Sequence, residues 1–193
     1  SMDVYFNYVN ANGGIHGRKI EFVFRDDSYD PEITPGIAKQ LVEEDKVFAV
    51  IGGVGTRSGR AVADYLENSE VPFFSPASGD SYWVTPGKRN VYTVFPQYYT
   101  EGKIMGEYIA QELRSLKVGV LYQDDAFGQQ GAAGLRDGIK RFGGTLIAEI
   151  KCTPQAEDLS AQAEAIMKNP PEVLVIFAAP GPAILTVKEL DKH

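Results

Sequence analysis

Two hydrophobic periods alternate along the chain. Val4, Phe6, Tyr8 and Val9 follow a short helical pattern that stops at Asn12-Gly13-Gly14. In "RKIEFVFRDD", Ile20, Phe22 and Phe24 alternate with Lys19, Glu21, Val23 and Arg25, three of them charged, which predicts a strand exposed on one face. "TPGIAKQLVEED" predicts a helix with Thr34 as its N-cap and Pro35 just inside. "VFAVIGG" predicts a buried strand, "TRSGRAVADYLENSE" a helix, and "VPFFSP" and "NVYTVFP" two more strands. A helix is predicted from about Tyr99 to Leu113. It is followed by "KVGVLYQDD" (strand), "AFGQQGAAGLRDGIKRFGG" (helix), "TLIAEIKC" (strand), "DLSAQAEAIMKN" (helix), "EVLVIFAAP" (strand) and a last helical stretch. Alternating strands and helices with short polar connections predict α/β architecture, with parallel sheets flanked by helices.

The pattern runs twice. "KVFAVIGGVGTRSG" and "SLKVGVLYQDDAFGQQG" share one logic: an apolar strand, a glycine-bearing polar turn, then a helix. Two Rossmann-like lobes are therefore predicted, residues 1–97 and 98–193, with the crossing at Pro96-Gln97-Tyr98. Ser1-Met2 leads straight into a helical pattern, an unusual opening for a fold. The expectation is that an upstream segment, and any export signal with it, lies outside the chain.

Open parallel sheets bind ligands beyond the carboxyl ends of their strands. "GGVGTRSG" follows such a strand, and its glycines let a ligand approach the backbone. The helix that begins there favours an anion. Thr56 and Ser58 add hydroxyls, although Thr56 also suits a plain N-cap. Gly53-x-Gly55-x-x-Ser58 approaches a dinucleotide fingerprint. The following strand, however, ends in Ser75-Pro76 rather than an acidic residue, and no lysine follows the glycines. "SPASGDSYW" places Ser78, Gly79, Asp80 and Ser81 after the next strand, either as ligand groups or as ordinary turn formers. Phe127 opens a helix after "YQDD", either to cover a ligand or to act as a hydrophobic staple.

Composition narrows the function. The 193 residues are 44% hydrophobic, enough for one domain or two small lobes. A net charge of −7 with no basic stripe argues against nucleic acid as a partner. No apolar run approaches the roughly 20 residues of a membrane helix. Cys152 is the one cysteine and can form no internal disulfide. His16 and His193 are far apart, so no metal site and no cofactor are expected. Asp26-Asp27 and Asp124-Asp125 are adjacent carboxylates, which suit loop and helix starts better than paired acid–base chemistry. With no nucleophile elbow either, an enzyme is not expected.

In order along the chain, "YVNANGGIHGRKIEFVFRDDSYDP", "VFAVIGGVGTRSG", "VPFFSPASGDSYW", "VFPQYYTEG" and "VGVLYQDDAFGQQGAAGLRDGIKRFGG" resemble the solute-binding proteins of branched-chain amino-acid ABC transporters, the type I periplasmic binding proteins. The resemblance implies two α/β lobes closing on a small ligand, incomplete here at both ends. It implies a periplasmic or extracellular location, no direct membrane insertion, and a membrane permease as partner. It places the ligand's carboxylate at Thr56 and a second hydroxyl at Ser81, with Ser78 and Gly79 beside it. Phe127 falls over the ligand and Tyr98 at the first crossing. Pro180 and Gly181 stand where amino-acid binders often carry a tyrosine, so the ligand class runs from amino acids through amides to aromatic acids. A sensory domain of the same fold is the alternative reading.

Overall fold

The computed structural model describes residues 2–86 and 88–192; Ser1 and His193 lie outside them. The strands form two three-stranded sheets, both fully parallel. The first is ordered β1 (Val50–Ile51), β2 (Phe73–Phe74), β3 (Val91–Tyr92). The second is ordered β5 (Thr145–Cys152), β4 (Lys117–Gln123), β6 (Val173–Phe177). Seven α-helices are assigned among the described residues: α1 (Met2–Ala11), α2 (Thr34–Lys39), α3 (Thr56–Asn68), α4 (Tyr98–Gln111), α5 (Ala126–Lys140), α6 (Ser160–Met167) and α7 (Pro180–Leu190). The α/β class read from the alternation therefore holds.

β4 is central in its sheet, and Val118, Val120 and Leu121 are fully buried. Apolar side chains leave it on both faces, so both must be covered. On one face Ile109, Leu135, Ile139 and Phe177 pack around Val118 and Val120. On the other, Leu121, Cys152, Leu159 and Ile166 form a second cluster. The chain places β5 on one side of β4 and β6 on the other. The carboxyl end of β4 is thus a topological switch point, where such sheets leave a crevice. Under the first sheet, Val62, Ala63 and Leu66 of α3 pack on Phe73 and Trp83.

Four details differ from the pattern-based expectation. Residues 19–27 form no strand, because no neighbouring chain among the described residues pairs with them. The Ile20 backbone is instead held by the Asn10 side chain, at 2.7 and 2.8 Å, and Phe24 is exposed. The strand in "VFAVIGG" is reduced to Val50–Ile51 at a sheet edge, with Ile51 and Phe48 exposed rather than buried. Thr34 is not an N-cap: Ile33 takes that place, and the Thr34 hydroxyl donates to Asp27 and the Asp30 carbonyl. After Lys39 the helix widens into a π-turn, Gln40–Glu44.

α4 and α5 pack backbone to backbone. A Cβ added at Gly102 would lie 2.0 Å from the Gly131 carbonyl oxygen, and one at Gly134 would lie 1.9 Å from that of Tyr99. At Gly138 the same atom would meet the Lys103 carbonyl oxygen at 2.3 Å. Tyr99 faces Gly134 and Lys103 faces Gly138, so the helices run parallel. Gly134→Ala should therefore destabilise by about 1–3 kcal/mol or more, the range for overpacking a closed contact. Gly36→Ala, in helical backbone with nothing within 4 Å, should be neutral or stabilising by up to about 1 kcal/mol. Urea denaturation of the two variants checks both signs.

Candidate functional site

The site lies where three helices begin. β1 and β2 continue their ladder through Val54 and Ala77, with the Ala77 N–H on the Gly53 carbonyl at 3.0 Å. This sets the start of α3 beside Ser78. Gly55 precedes the helix at φ 110°, a conformation that glycine adopts without strain. The Tyr29 ring lies against it: a Cβ on Gly55 would be 2.5 Å from a ring carbon. Thr56 is the first helical residue rather than the cap, and no side chain caps α3. Its leading N–H groups are left for another acceptor.

Thr56 is 2% exposed and Ser78 1%. Their hydroxyl oxygens are 2.7 Å apart, and the Thr56 hydroxyl reaches that of Tyr98 at 3.4 Å. Ser78 Oγ also accepts the Asp80 N–H at 3.3 Å. Gly79 is where two chain segments touch. Its carbonyl accepts the Tyr98 N–H at 2.8 Å, and a Cβ there would lie 2.1 Å from the Pro96 carbonyl oxygen. Tyr98 opens α4, again with no side-chain cap. Its ring centre is 4.7 Å from that of Phe127.

Phe127 is no hydrophobic staple. Asp125 caps α5, accepting the Phe127 and Gly128 N–H groups, which leaves Asp124 and Gln129 at the staple positions. Ser81 is exposed and is tied in through its backbone: its N–H donates to Gln130 Oε1 at 3.0 Å. Thr56, Ser78, Gly79, Tyr98 and Phe127 thus form one cluster, with Ser81 at its margin.

Charges brace this cluster: Asp80, expected only as a ligand group or turn former, is paired with Arg60, which no sequence pattern marks. Asp80 is 1% exposed. It accepts from Arg60 Nε and Nη2, from Gln130 Nε2 at 2.6 Å and from the Tyr82 N–H at 3.1 Å. Arg60 sits one helical turn after Thr56, a spacing that does put the two on one face. Tyr29 and Gln123 were also missed. Gln123 is fully buried; its amide donates to Tyr29 and Asp125 and accepts the Ala179 N–H at the start of α7.

Burial opposes the charged form of Asp80. The hydrogen bonds from Arg60, Gln130 and Tyr82 outweigh it and hold its carboxyl below the usual carboxylate range. Burial pushes the Cys152 thiol up to about 11, so it is no ready nucleophile. Among the described residues no group of three or more His, Cys, Asp or Glu side chains is placed to hold a metal, and no helix is long and apolar enough to cross a membrane. A surface depression of about 210 Å³ lies apart from the hydroxyl cluster, beside Asp124, Lys151 and Cys152.

The sequence profile of the periplasmic binding protein family matches residues 1–193. The chain belongs to that family. It is similar to an "amino acid binding protein" of Pseudomonas aeruginosa, 26% identical over 184 residues, covering 94% of this chain and 49% of that protein. It is similar to the Leu/Ile/Val-binding protein of Escherichia coli, 22% identical over 161 residues, covering 83% and 44%. A solute-binding protein of an ABC transporter from Rhodopseudomonas palustris, solved with 3,4-dihydroxybenzoic acid, shares the fold. Its TM-score is 0.85 at 23% identity, over 98% of this chain and 52% of that one. This periplasmic binding protein chain spans about half the length of the curated relatives it matches.

Asp80 gives the site a pH signature. Its folded pKa is depressed, so its contribution to stability is present above the unfolded value of about 3.9 and is lost as pH falls below it. Asp80→Asn should lower the melting temperature at pH 7, and the gap to the parent protein should narrow by pH 3. A gap independent of pH would show that the Asp80 charge contributes nothing.

Proposed function

We propose that the chain forms part of an extracytoplasmic solute-binding component of an ABC transporter, which holds a small carboxylate-bearing solute and performs no chemistry on it. One observation carries the reading: α3 and α4 begin against the same segment, at Ser78 and Gly79, both without a side-chain cap, and the Thr56 and Tyr98 hydroxyls come within 3.4 Å there. Uncapped N–H groups and two positive helix ends favour an anion. The Thr56–Ser78–Tyr98 hydroxyls supply further donors.

The same place has an apolar side. The half-buried rings of Tyr98 and Phe127 suit the body of a solute whose carboxylate meets the hydroxyls. Leu/Ile/Val and 3,4-dihydroxybenzoic acid, named for two proteins similar to this one, share that design: a carboxylate on an apolar or aromatic body. Amino acids, amides and aromatic acids are the ligand class. Residues 1–97 and 98–193 are the two lobes around the site, in the periplasm or outside the cell, and a membrane permease receives the solute.

Thermal-shift screening of the full-length protein against amino acids, amides and benzoates tests this. A true ligand at 100 times its dissociation constant should add about 2.7 kcal/mol of stability. No shift with any carboxylate would refute the reading. For the compound that binds, Thr56→Val should weaken affinity by about 1.5–3 kcal/mol, the range for a hydrogen bond to a charged group, at little cost in stability. Phe127→Ala should weaken aromatic or branched ligands more than small ones; calorimetric titration separates that from a uniform loss.

A further inference from the structure

Gln130 lies three residues after Phe127 on α5, so the two side chains share a helix face. Its amide is used at both ends. Oε1 accepts the Ser81 N–H at 3.0 Å, and Nε2 donates to Asp80 Oδ1 at 2.6 Å. Both side-chain hydrogen bonds between α5 and the 78–82 segment, among the described residues, are made by this one amide. The segment it grips holds Ser78 and, through Asp80, Arg60 of α3. The helix it stands on holds Phe127. The solute site has the hydroxyls on one of these bodies and the Phe127 ring on the other.

We propose that Gln130 is a positioning residue that sets the distance between Phe127 and the Thr56–Ser78 hydroxyls by pairing its amide with Asp80 and the Ser81 N–H. The assignment of those groups to a solute rests on the proposed function; the pairing itself does not. An amide is needed because the two partners are opposite in kind. Asp80 is a buried acceptor and the Ser81 N–H is a donor, so the joining group must donate at one atom and accept at the next. Glutamate fails when ionised, because it can only accept and would stand against the Asp80 carboxylate. Protonated glutamic acid has one donor and one acceptor in nearly the shape of the amide. The other charges nearby are Arg60, which is committed to Asp80, and Asp125 at the start of the same helix.

The test needs no ligand, so its failure is distinct from a failure of the solute-binding reading. Spin labels are placed through Asn68→Cys at the end of α3 and Gln129→Cys on α5, both exposed positions. Pulsed dipolar spectroscopy then reads the distance between them in the full-length protein. With Gln130 intact, one narrow distribution is expected at pH 7.5 and at pH 5. Gln130→Ala should broaden it and move a large part to longer distances at both pH values. Gln130→Glu should do so at pH 7.5 and return to the short distribution at pH 5, where the adjacent Asp80 charge favours protonation of the new side chain. A parental distribution in Gln130→Ala would overturn the proposal, as would a long distribution in Gln130→Glu that ignores pH. Recovery at pH 5 would set Gln130 apart from a residue that merely fills space.

Discussion

The contact between α4 and α5 is the constraint on which the site depends. Carbonyl oxygens of Tyr99, Lys103 and Gly131 lie where side chains would otherwise be, so the two helix axes are fixed by backbone against backbone. Such a contact has no soft side chain to absorb error. Because the helices run parallel, their first turns are fixed as well, and those turns carry Tyr98 and Phe127. The 4.7 Å between the two rings is a consequence of glycines up to eleven residues further along the chain. Tyr98 is in turn anchored to the first sheet by the Gly79 carbonyl. A rigid helix pair and one short backbone bond thus hold the Tyr98 and Phe127 rings together beside the 78–79 segment, and the Gln130 amide joins the same helix pair to Asp80 and Ser81.

The glycine-rich turn before α3 has the same logic on the other side. Gly55 turns the chain and lets the Tyr29 ring lie on the backbone. Tyr29 reaches Gln123 at the end of β4, and Gln123 reaches the start of α7 through the Ala179 N–H. One buried amide therefore gathers a loop, a strand end and a helix start at the switch point of the second sheet. The crevice that parallel sheets leave at such points is here lined by groups with assigned hydrogen-bond partners, which keeps it in one shape.

Most of the fold was legible because its signals are local. Strand–helix alternation, the glycines after β1, and the Asp-Asp pairs at loop and helix starts all act within a few residues. Asp26 and Asp27 accept the Ser28 and Tyr29 N–H groups, and Asp125 caps α5, as short-range spacing suggests. What was illegible is set at long range. The alternation at Ile20–Phe24 is a strand pattern, but a strand exists only by pairing, and sequence does not reveal the partner. Thr34 looks like a cap until Asp27, seven residues away, takes its hydroxyl. Five of the expected ligand groups meet in one cluster, whereas the Asp80 pairings span 20 residues to Arg60 and 50 to Gln130, beyond any periodicity. Gln130 carried no pattern at all: a polar residue on an amphipathic helix is ordinary until its partner is known.

The proposed anion site sits in an acidic chain, and the two are reconciled by local charge. The whole chain carries −7, Asp80 adjoins the Ser78 hydroxyl, and Asp125 caps the helix that carries Phe127. Distant charges are screened over about 8 Å at physiological ionic strength, so the net charge counts mostly against approach and little against binding. The near carboxylates are each committed. Asp80 is paired with Arg60, and Asp125 spends its charge on the first N–H groups of α5. No side chain caps α3 or α4, so their positive ends remain. Each end favours a nearby anion by about 0.3–1 kcal/mol when exposed and up to about 2 when partly buried. Thr56 at one end is almost wholly buried, which puts the local field toward the upper part of that range. Asp80 and Asp125 are thus engaged in building the cluster, and the uncapped starts of α3 and α4 keep the partial positive charge of a helix N-terminus, as the proposed anion reading requires.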